Sequence, residues 1–375
     1  MAKGYIGNAS SKAYPLSKGW VGNGSNKAYP LKAGWMGDAN GKARKVFGES
    51  AKSLVYYGTA TALSVARRQL AATTVGNYAL FGGGYTGSYS SVVDAYDTSL
   101  TRITTTSLSE ARRILAATAI GNYALFGGGD SESTIYNSVV DAYNTSLTRT
   151  IPTALSEGRY APSAATVGNY ALFGGGGIKG GYSSVVDAYN TSLTRTTATS
   201  LSLARYYLAA TTVGNYALFG GGYNDGYLAT VDAYNNSLTR TIPTALYIGR
   251  AELAATTVGD YALFGGGSND EGYALVDAYN SSLTRTYTYL GDYQYYLAAT
   301  TVGDYALFGG GRTSSDSYAD MVFSFDASLT YTLQTSLSIG RRYPAATTVG
   351  NYALFGGGQP GSRTYSDVVD VYTVS

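Results

Sequence analysis

From residue 54 onward the apolar residues fall in short runs, some unbroken and some alternating with Thr or Ser, and each run stops at Gly, Asn, Ser or Thr. Residues 115–151 are representative. Leu115 to Ile120 is followed by Gly121-Asn122, then Tyr123 to Phe126, then Gly127-Gly128-Gly129. Residues 138–143 (SVVDAY) precede Asn144-Thr145-Ser146 and a last run from Leu147 to Ile151. Helical spacing of the apolar positions is lacking, whereas period-two and short unbroken runs bounded by turn formers predict β-strands, here four in succession. The Asn-Thr-Ser turn carries side chains that bond their own backbone.

The pattern recurs. Gly-(Asn/Asp)-Tyr-Ala-Leu-Phe-Gly-Gly-Gly is found seven times, with its tyrosines at Tyr78, Tyr123, Tyr170, Tyr216, Tyr261, Tyr305 and Tyr352, 44 to 47 residues apart. Four strands per unit at that period predict an all-β fold, a seven-bladed β-propeller with four-stranded blades. The last unit stops after a third strand (residues 368–372), while residues 53–59 (SLVYYGT) form an orphan strand ahead of the first. Pairing the two would close the ring and remove an open sheet edge. The unit resembles the kelch repeat in Arg112 before the first strand, in Tyr123, Gly127 and Gly128 of the second, and in Asp141-Ala142-Tyr143 of the third. It departs where the kelch tryptophan of the fourth strand is replaced by Ser-Leu-Thr-Arg-Thr, so that a Leu must fill the space between blades. The resemblance implies a kelch-like fold and is silent on function.

Charge divides the chain. Residues 1–52 hold eight lysines and Arg44 against Asp38 and Glu49, a surplus of seven, which leaves the remainder at −5 for a net +2. Two modules follow: 1–47, a basic repeat module, and 48–375, the propeller. In the first, Lys3-Gly4-Tyr5-Ile6-Gly7-Asn8, Lys18-Gly19-Trp20-Val21-Gly22-Asn23 and Ala33-Gly34-Trp35-Met36-Gly37-Asp38 lie 15 residues apart and predict β-hairpins. Three hairpins bury little on their own, so Tyr5, Trp20 and Trp35 are expected to pack in an assembly. These repeats, with Lys12-Ala13-Tyr14 and Lys42-Ala43-Arg44, resemble those near the start of tail-associated, receptor-binding proteins of phages infecting Gram-positive bacteria. The resemblance implies an anchor on a virion or tail-like assembly, and the aromatic residues are expected to pack against another copy, making a homo-oligomer, or against another protein. Lysines at a fixed repeat position read as solvated or as contacts to an acidic docking partner rather than to nucleic acid.

Zero cysteines and zero histidines among 375 residues remove disulfides, thiolate metal sites, a cysteine nucleophile and the commonest general base. No cofactor and no metal is expected. The N-terminus lacks the apolar stretch of a signal peptide and no segment is long and apolar enough to span a membrane, so the chain is expected to be made in the cytoplasm, without membrane insertion, and to act on a virion or other particle surface.

The seven copies differ from one another in two stretches, the loop after the triple glycine and the connection from one unit to the next. In an antiparallel blade both emerge on one face. The loops (YTGSYS, DSESTIYN, GIKGGYS, YNDGYLA, SNDEGYA, RTSSDSYAD, QPGSRTYSD) use the Tyr, Ser, Gly and Asn vocabulary of binding loops. Ahead of each first strand the units read RRQ, RRI, RYA, RYY, RAE, QYY and RRY. The leading Arg67, Arg112, Arg159, Arg205, Arg250 and Arg341 are framework, expected to bond carbonyls or the third-strand Asp between blades. The next positions give a basic group (Arg68, Arg113, Arg342) and an aromatic group (Tyr160, Tyr206, Tyr207, Tyr295, Tyr296, Tyr343), with Tyr247 and Tyr293 just upstream and Tyr223 in a loop. These are the candidate ligand-binding residues, suited to a cell-surface glycan or a protein receptor. Of the 38 tyrosines, those at the start of the third strand, such as Tyr89, Tyr136 and Tyr182, read as packing residues.

Other motifs have simpler explanations. Gly174-Gly175-Gly176-Gly177-Ile178-Lys179 lacks phosphate-loop spacing and reads as a strand-end bulge. Sequons such as Asn144-Thr145-Ser146 repeat at a turn, and Asn224-Asp225 and Asn269-Asp270-Glu271 lack the regular spacing of calcium ligands. The third-strand Asp recurs around the ring, and blade six has Phe323 instead, which argues for structure over catalysis. The expectation is a binding protein and not an enzyme, with an intracellular interaction scaffold or a carbohydrate-active enzyme as the alternatives.

Overall fold

The computed structural model describes residues 53–269 and 274–375 in full, and the backbone pairing of strands within the first 52 residues. The chain divides into two compact units, Met1–Ser53 with Ser375, and Leu54–Val374. In the first unit each 15-residue repeat forms an antiparallel pair: Gly4–Gly7 with Ala13–Leu16, Trp20–Gly22 with Ala28–Pro30, and Ala33–Gly37 with Ala43–Gly48. The side chains of Tyr5, Trp20 and Trp35 lie outside the described residues.

The second unit is a seven-bladed β-propeller of four-stranded antiparallel sheets. Blade two is built from Ala116–Ile120, Tyr123–Gly127, Val140–Asn144 and Arg149–Thr150. A two-residue turn with Gly121 at φ +53° joins the first pair. Asn144 Oδ1 then accepts the amides of Ser146 and Thr148 at 3.0 and 2.9 Å, so the sequon is spent on its own turn. In blade seven the fourth strand is Leu54–Thr59, paired to Val369–Val374, which closes the ring as the terminal segments predict.

A propeller has no single centre, and here the apolar side chains form seven clusters, one at each contact between neighbouring blades. Each centres on a fully buried second-strand Phe and third-strand aromatic, such as Phe173 with Tyr189, whose ring centroids are 5.9 Å apart edge to face. Burial of such a side chain contributes about 1.5–3 kcal/mol. The Leu that stands where kelch repeats carry tryptophan is seen at the edge of these clusters: Leu147 packs beside Phe126 and Tyr143 with φ +60°.

The first glycine of each triplet continues the strand in register, with Gly127 opposite both Ala116 and Val140, so the expected bulge is absent. Its requirement is steric. A Cβ on Gly127 would stand 2.8 Å from the Phe173 ring of the next blade, and the same relation runs round to Gly356 against Phe81 at 2.7 Å. The second and third glycines, Gly128 and Gly129, take φ +71° and +103° as the chain leaves the sheet.

The framework arginines are buried on the third-strand aspartates: Arg112 Nη2 lies 2.7 Å from Asp141 and donates to the carbonyl of Phe126 at 3.0 Å. Asp141 also accepts the Ser109 amide at 2.9 Å, and Arg149 of the fourth strand approaches to 3.7 Å. The pair therefore ties the incoming connection to its own blade, rather than bridging two blades as expected. Burial lowers the Arg112 pKa and Asp141 offsets part of that. Blade six abandons the whole arrangement. Gln294 replaces the buried Arg, Phe323 the Asp and Tyr331 the outer Arg, with the two rings 5.9 Å apart, and Gly291 leaves them room, since a Cβ there would meet Phe323 at 2.8 Å. Removing both charges together avoids an isolated buried ion.

Two outcomes test this frame by urea unfolding. Gly220→Ala, which puts a Cβ 2.8 Å from Phe264, is expected to lose about 1–3 kcal/mol, while Gly226→Ala, with open space around it, stays within about 0.5 kcal/mol of the parent. Asp141→Ala is expected to cost about 3–5 kcal/mol because it strands Arg112. The four-fold variant Ser109→Gly, Arg112→Gln, Asp141→Phe, Arg149→Tyr, which copies blade six, should lose less than that single change.

Candidate recognition face and axial pocket

The two divergent stretches are joined by backbone pairing in every blade, which places them on the same face. Arg68 pairs with Tyr85, Tyr160 with Gly177, Tyr206 with Tyr223, Tyr295 with Arg312 and Arg342 with Gln359, each at the first loop position after the triple glycine. The opposite face carries the near-identical turns, which interlock between blades, as where a Cβ on Gly121 would meet Thr191 at 3.3 Å.

The residue after each of these pairs sits at the ring axis. Gln69, Ile114, Ala161, Tyr207, Glu252, Tyr296 and Tyr343 all adopt left-handed backbone, with φ between 51° and 61°. Their amides and carbonyls link consecutive blades into a collar: Ile114 to Gln69 at 3.0 Å, Ala161 to Ile114 at 3.1 Å, Glu252 to Tyr207 at 3.0 Å, Tyr296 to Glu252 at 3.2 Å, Tyr343 to Tyr296 at 2.9 Å and Gln69 to Tyr343 at 3.4 Å. Among the described residues only the step from Ala161 to Tyr207 lacks its bond. Deeper in, threonine hydroxyls of the first strands bond across blades, for instance Thr211 to Thr257 at 3.0 Å and Thr256 to Thr301 at 2.7 Å. The collar side chains other than Ala161 and a floor of leucines (Leu70, Leu115, Leu208, Leu253, Leu297) line an open pocket of about 270 Å³.

The candidate residues separate into three groups. Tyr160, Tyr206, Tyr207 and Tyr223 form one aromatic cluster, with Tyr206 4.5 Å from Tyr207, 5.5 Å from Tyr160 and 6.0 Å from Tyr223 between ring centroids. Tyr293, Tyr295, Tyr296 and Tyr343 form a second, with centroid steps of 5.7, 5.0 and 4.1 Å. Arg68 and Arg342 converge on Oε1 of Gln359, the latter at 3.1 Å, and both lie over tyrosine rings. Arg113 is the exception among the basic residues, since Asp130 holds its Nε at 3.1 Å. Tyr247 stands apart from the rim. It is about half exposed, its ring 4.6 Å from Tyr287 of the outermost strand of blade five and 5.5 Å from the Arg285 guanidinium, because its amide is held by Asp277 at 2.9 Å in the connection.

Several site residues were not expected. Tyr136 and Tyr182, read as packing, reach the rim tyrosines: Tyr182 stacks 5.2 Å from Tyr206 at 18°, and Tyr136 lies tilted, 6.0 Å from Tyr160. Asn224 and Asp225 serve a turn, Asn224 donating to the Ala204 carbonyl at 2.7 Å and Asp225 accepting the Tyr182 hydroxyl at 3.2 Å. From Asp270 onward the acidic loop of blade five lies outside the described residues. Among the described residues no group of three acidic side chains is gathered to hold a metal.

Glu252 is the most distinctive addition. Its two carboxylate oxygens accept the hydroxyls of Tyr296 and, at 3.0 Å, Ser268, and Tyr207 and Tyr343 close in beside it. Burial raises its pKa above the ordinary 4.5, overcoming the lowering by those hydroxyls and by the more distant Arg342. One signal pointed to it: RAE is the single triplet with an acid at the collar position. A folded-state pKa above the unfolded one means that the carboxylate destabilises the fold once ionised, with no penalty below the unfolded value and the full penalty above the folded one. Glu252→Gln is therefore expected to melt higher than the parent at pH 7, the gap closing below pH of about 4. Differential scanning calorimetry across pH would measure it.

The fold and this face define a β-propeller, a class suited to binding or scaffold roles. No family model matches the chain, and no curated protein does. Among solved structures it is similar to one described as "Structure of YjhT", with a TM-score of 0.59 and 12% identity over 74% of this chain and 99% of that one. At that identity the likeness bears on fold alone.

Proposed function

We propose that the chain is a non-catalytic binding protein that recognises a cell-surface glycan or protein through the variable face of its propeller, carried on a phage tail or similar particle by residues 1–47. One observation carries the reading. Seven nearly identical blades differ on one face, and on that face the differences gather into two tyrosine clusters and an arginine pair lacking a carboxylate partner among the described residues. Aromatic faces and guanidiniums are what sugar rings, acidic groups and protein hot spots engage. The pocket lining includes one acid, Glu252, where glycoside hydrolysis ordinarily uses a pair, which favours binding over catalysis. The hairpin repeats and their basic charge support the anchoring role through their resemblance to tail-associated proteins.

In glycan-array and cell-binding assays with the full chain, Tyr206→Ala, Tyr295→Ala and Arg342→Ala are each expected to weaken binding by about tenfold or more, and Tyr247→Ala to leave it unchanged. Binding indifferent to all of them would rule the face out. Retention of a cytosolic partner with no surface binding would favour an intracellular scaffold.

A further inference from the structure

We propose that the axial pocket around Glu252 is a cation site, and that the ligand of the variable face carries an alkylammonium or amino group which this pocket receives. The inference rests on the binding reading above and adds a chemical class to it. Glu252 is a partly buried carboxylate whose oxygens meet only hydroxyls, those of Tyr296 and Ser268, and among the described residues no guanidinium or ammonium pairs with it. Among the described residues the fully buried aspartates Asp94, Asp141, Asp187, Asp232, Asp277 and Asp370 each hold an arginine. A carboxylate partly withdrawn from water without a counter-charge is disfavoured, and a ligand that supplies the charge recovers that cost on binding.

The walls suit the same ligand. Tyr207, Tyr296 and Tyr343 surround the carboxylate, and their ring faces attract a cation too weakly hydrated to demand water, while the leucine floor accepts its alkyl groups. Arg342, whose charge acts on Glu252 from a distance, is engaged by Gln359 at 3.1 Å and lies 5.2 Å from the Tyr343 ring, and it forms no ion pair with the carboxylate. Blades one and two lie opposite blade five in a ring of seven, so Gln69 and Ile114 stand across the axis from Glu252 and line the far side of the pocket. A volume of about 270 Å³ accommodates a trimethylammonium group and its first carbons.

The test compares choline with 3,3-dimethylbutan-1-ol, which has the same shape and no charge, by ligand-observed NMR or calorimetry on the full chain. Choline is expected to bind at least about tenfold more tightly than the alcohol. Glu252→Gln should reduce choline to the level of the alcohol, and Tyr207→Leu should weaken it while Tyr247→Ala does not, each variant being checked for a cooperative melt. If Glu252→Gln does not fold, Ile114→Phe, which fills the mouth without touching the acid, is expected to abolish choline binding instead. Equal binding of the two probes, no choline binding by the folded parent, or choline binding untouched by these changes would overturn the proposal. If surface binding is still lost in Tyr206→Ala and Arg342→Ala under any of those outcomes, the receptor reading stands and the ammonium ligand alone fails.

Discussion

The whole ring depends on a contact that leaves no room for a methyl group: the edge of a phenylalanine from one blade against the α-carbon of a glycine in the blade before it. The contact recurs from Gly82 and Phe126 round to Gly356 and Phe81, and it sets how closely neighbouring sheets approach. Because a propeller closes on itself, a change in one spacing must be absorbed by the other six. That constraint explains why Tyr-Ala-Leu-Phe-Gly is repeated with so little change, and why variation was left to segments that leave the sheets.

Charge follows the same economy. Six blades bury a complete Arg–Asp pair with further hydrogen bonds to carbonyls and amides, and blade six, with Gln294 and Phe323, has neither member. No blade keeps half. Glu252 differs, a partly buried carboxylate met by hydroxyls alone, and that contrast is what the proposed ligand charge would complete.

Strand order, blade number and ring closure were legible from residues 53–375 because period, turn chemistry and the incomplete final unit all point to one answer. The face of variation was legible for the same reason, since antiparallel order alone decides where the loops emerge. What escaped was set by side-chain reach. Tyr182 and Tyr136 hold repeat positions like any framework residue, yet the rings reach the rim; Tyr247 lies close in sequence to Arg250, yet an amide held by Asp277 keeps it over the outer strand. The significance of Glu252 depended on what was missing around it, which spacing cannot reveal. Likewise the triple glycine reads as a bulge until the neighbouring phenylalanine is seen.

The collar has a further consequence. Its seven residues hold their places through main-chain bonds and a shared left-handed backbone, and they are as unlike as Gln, Ile, Ala, Tyr and Glu. The fold has thus separated seat from occupant. With seven seats around one axis whose backbone does not depend on the side chain each carries, a lineage or an engineer seeking a new specificity can exchange occupants without renegotiating the architecture that seats them.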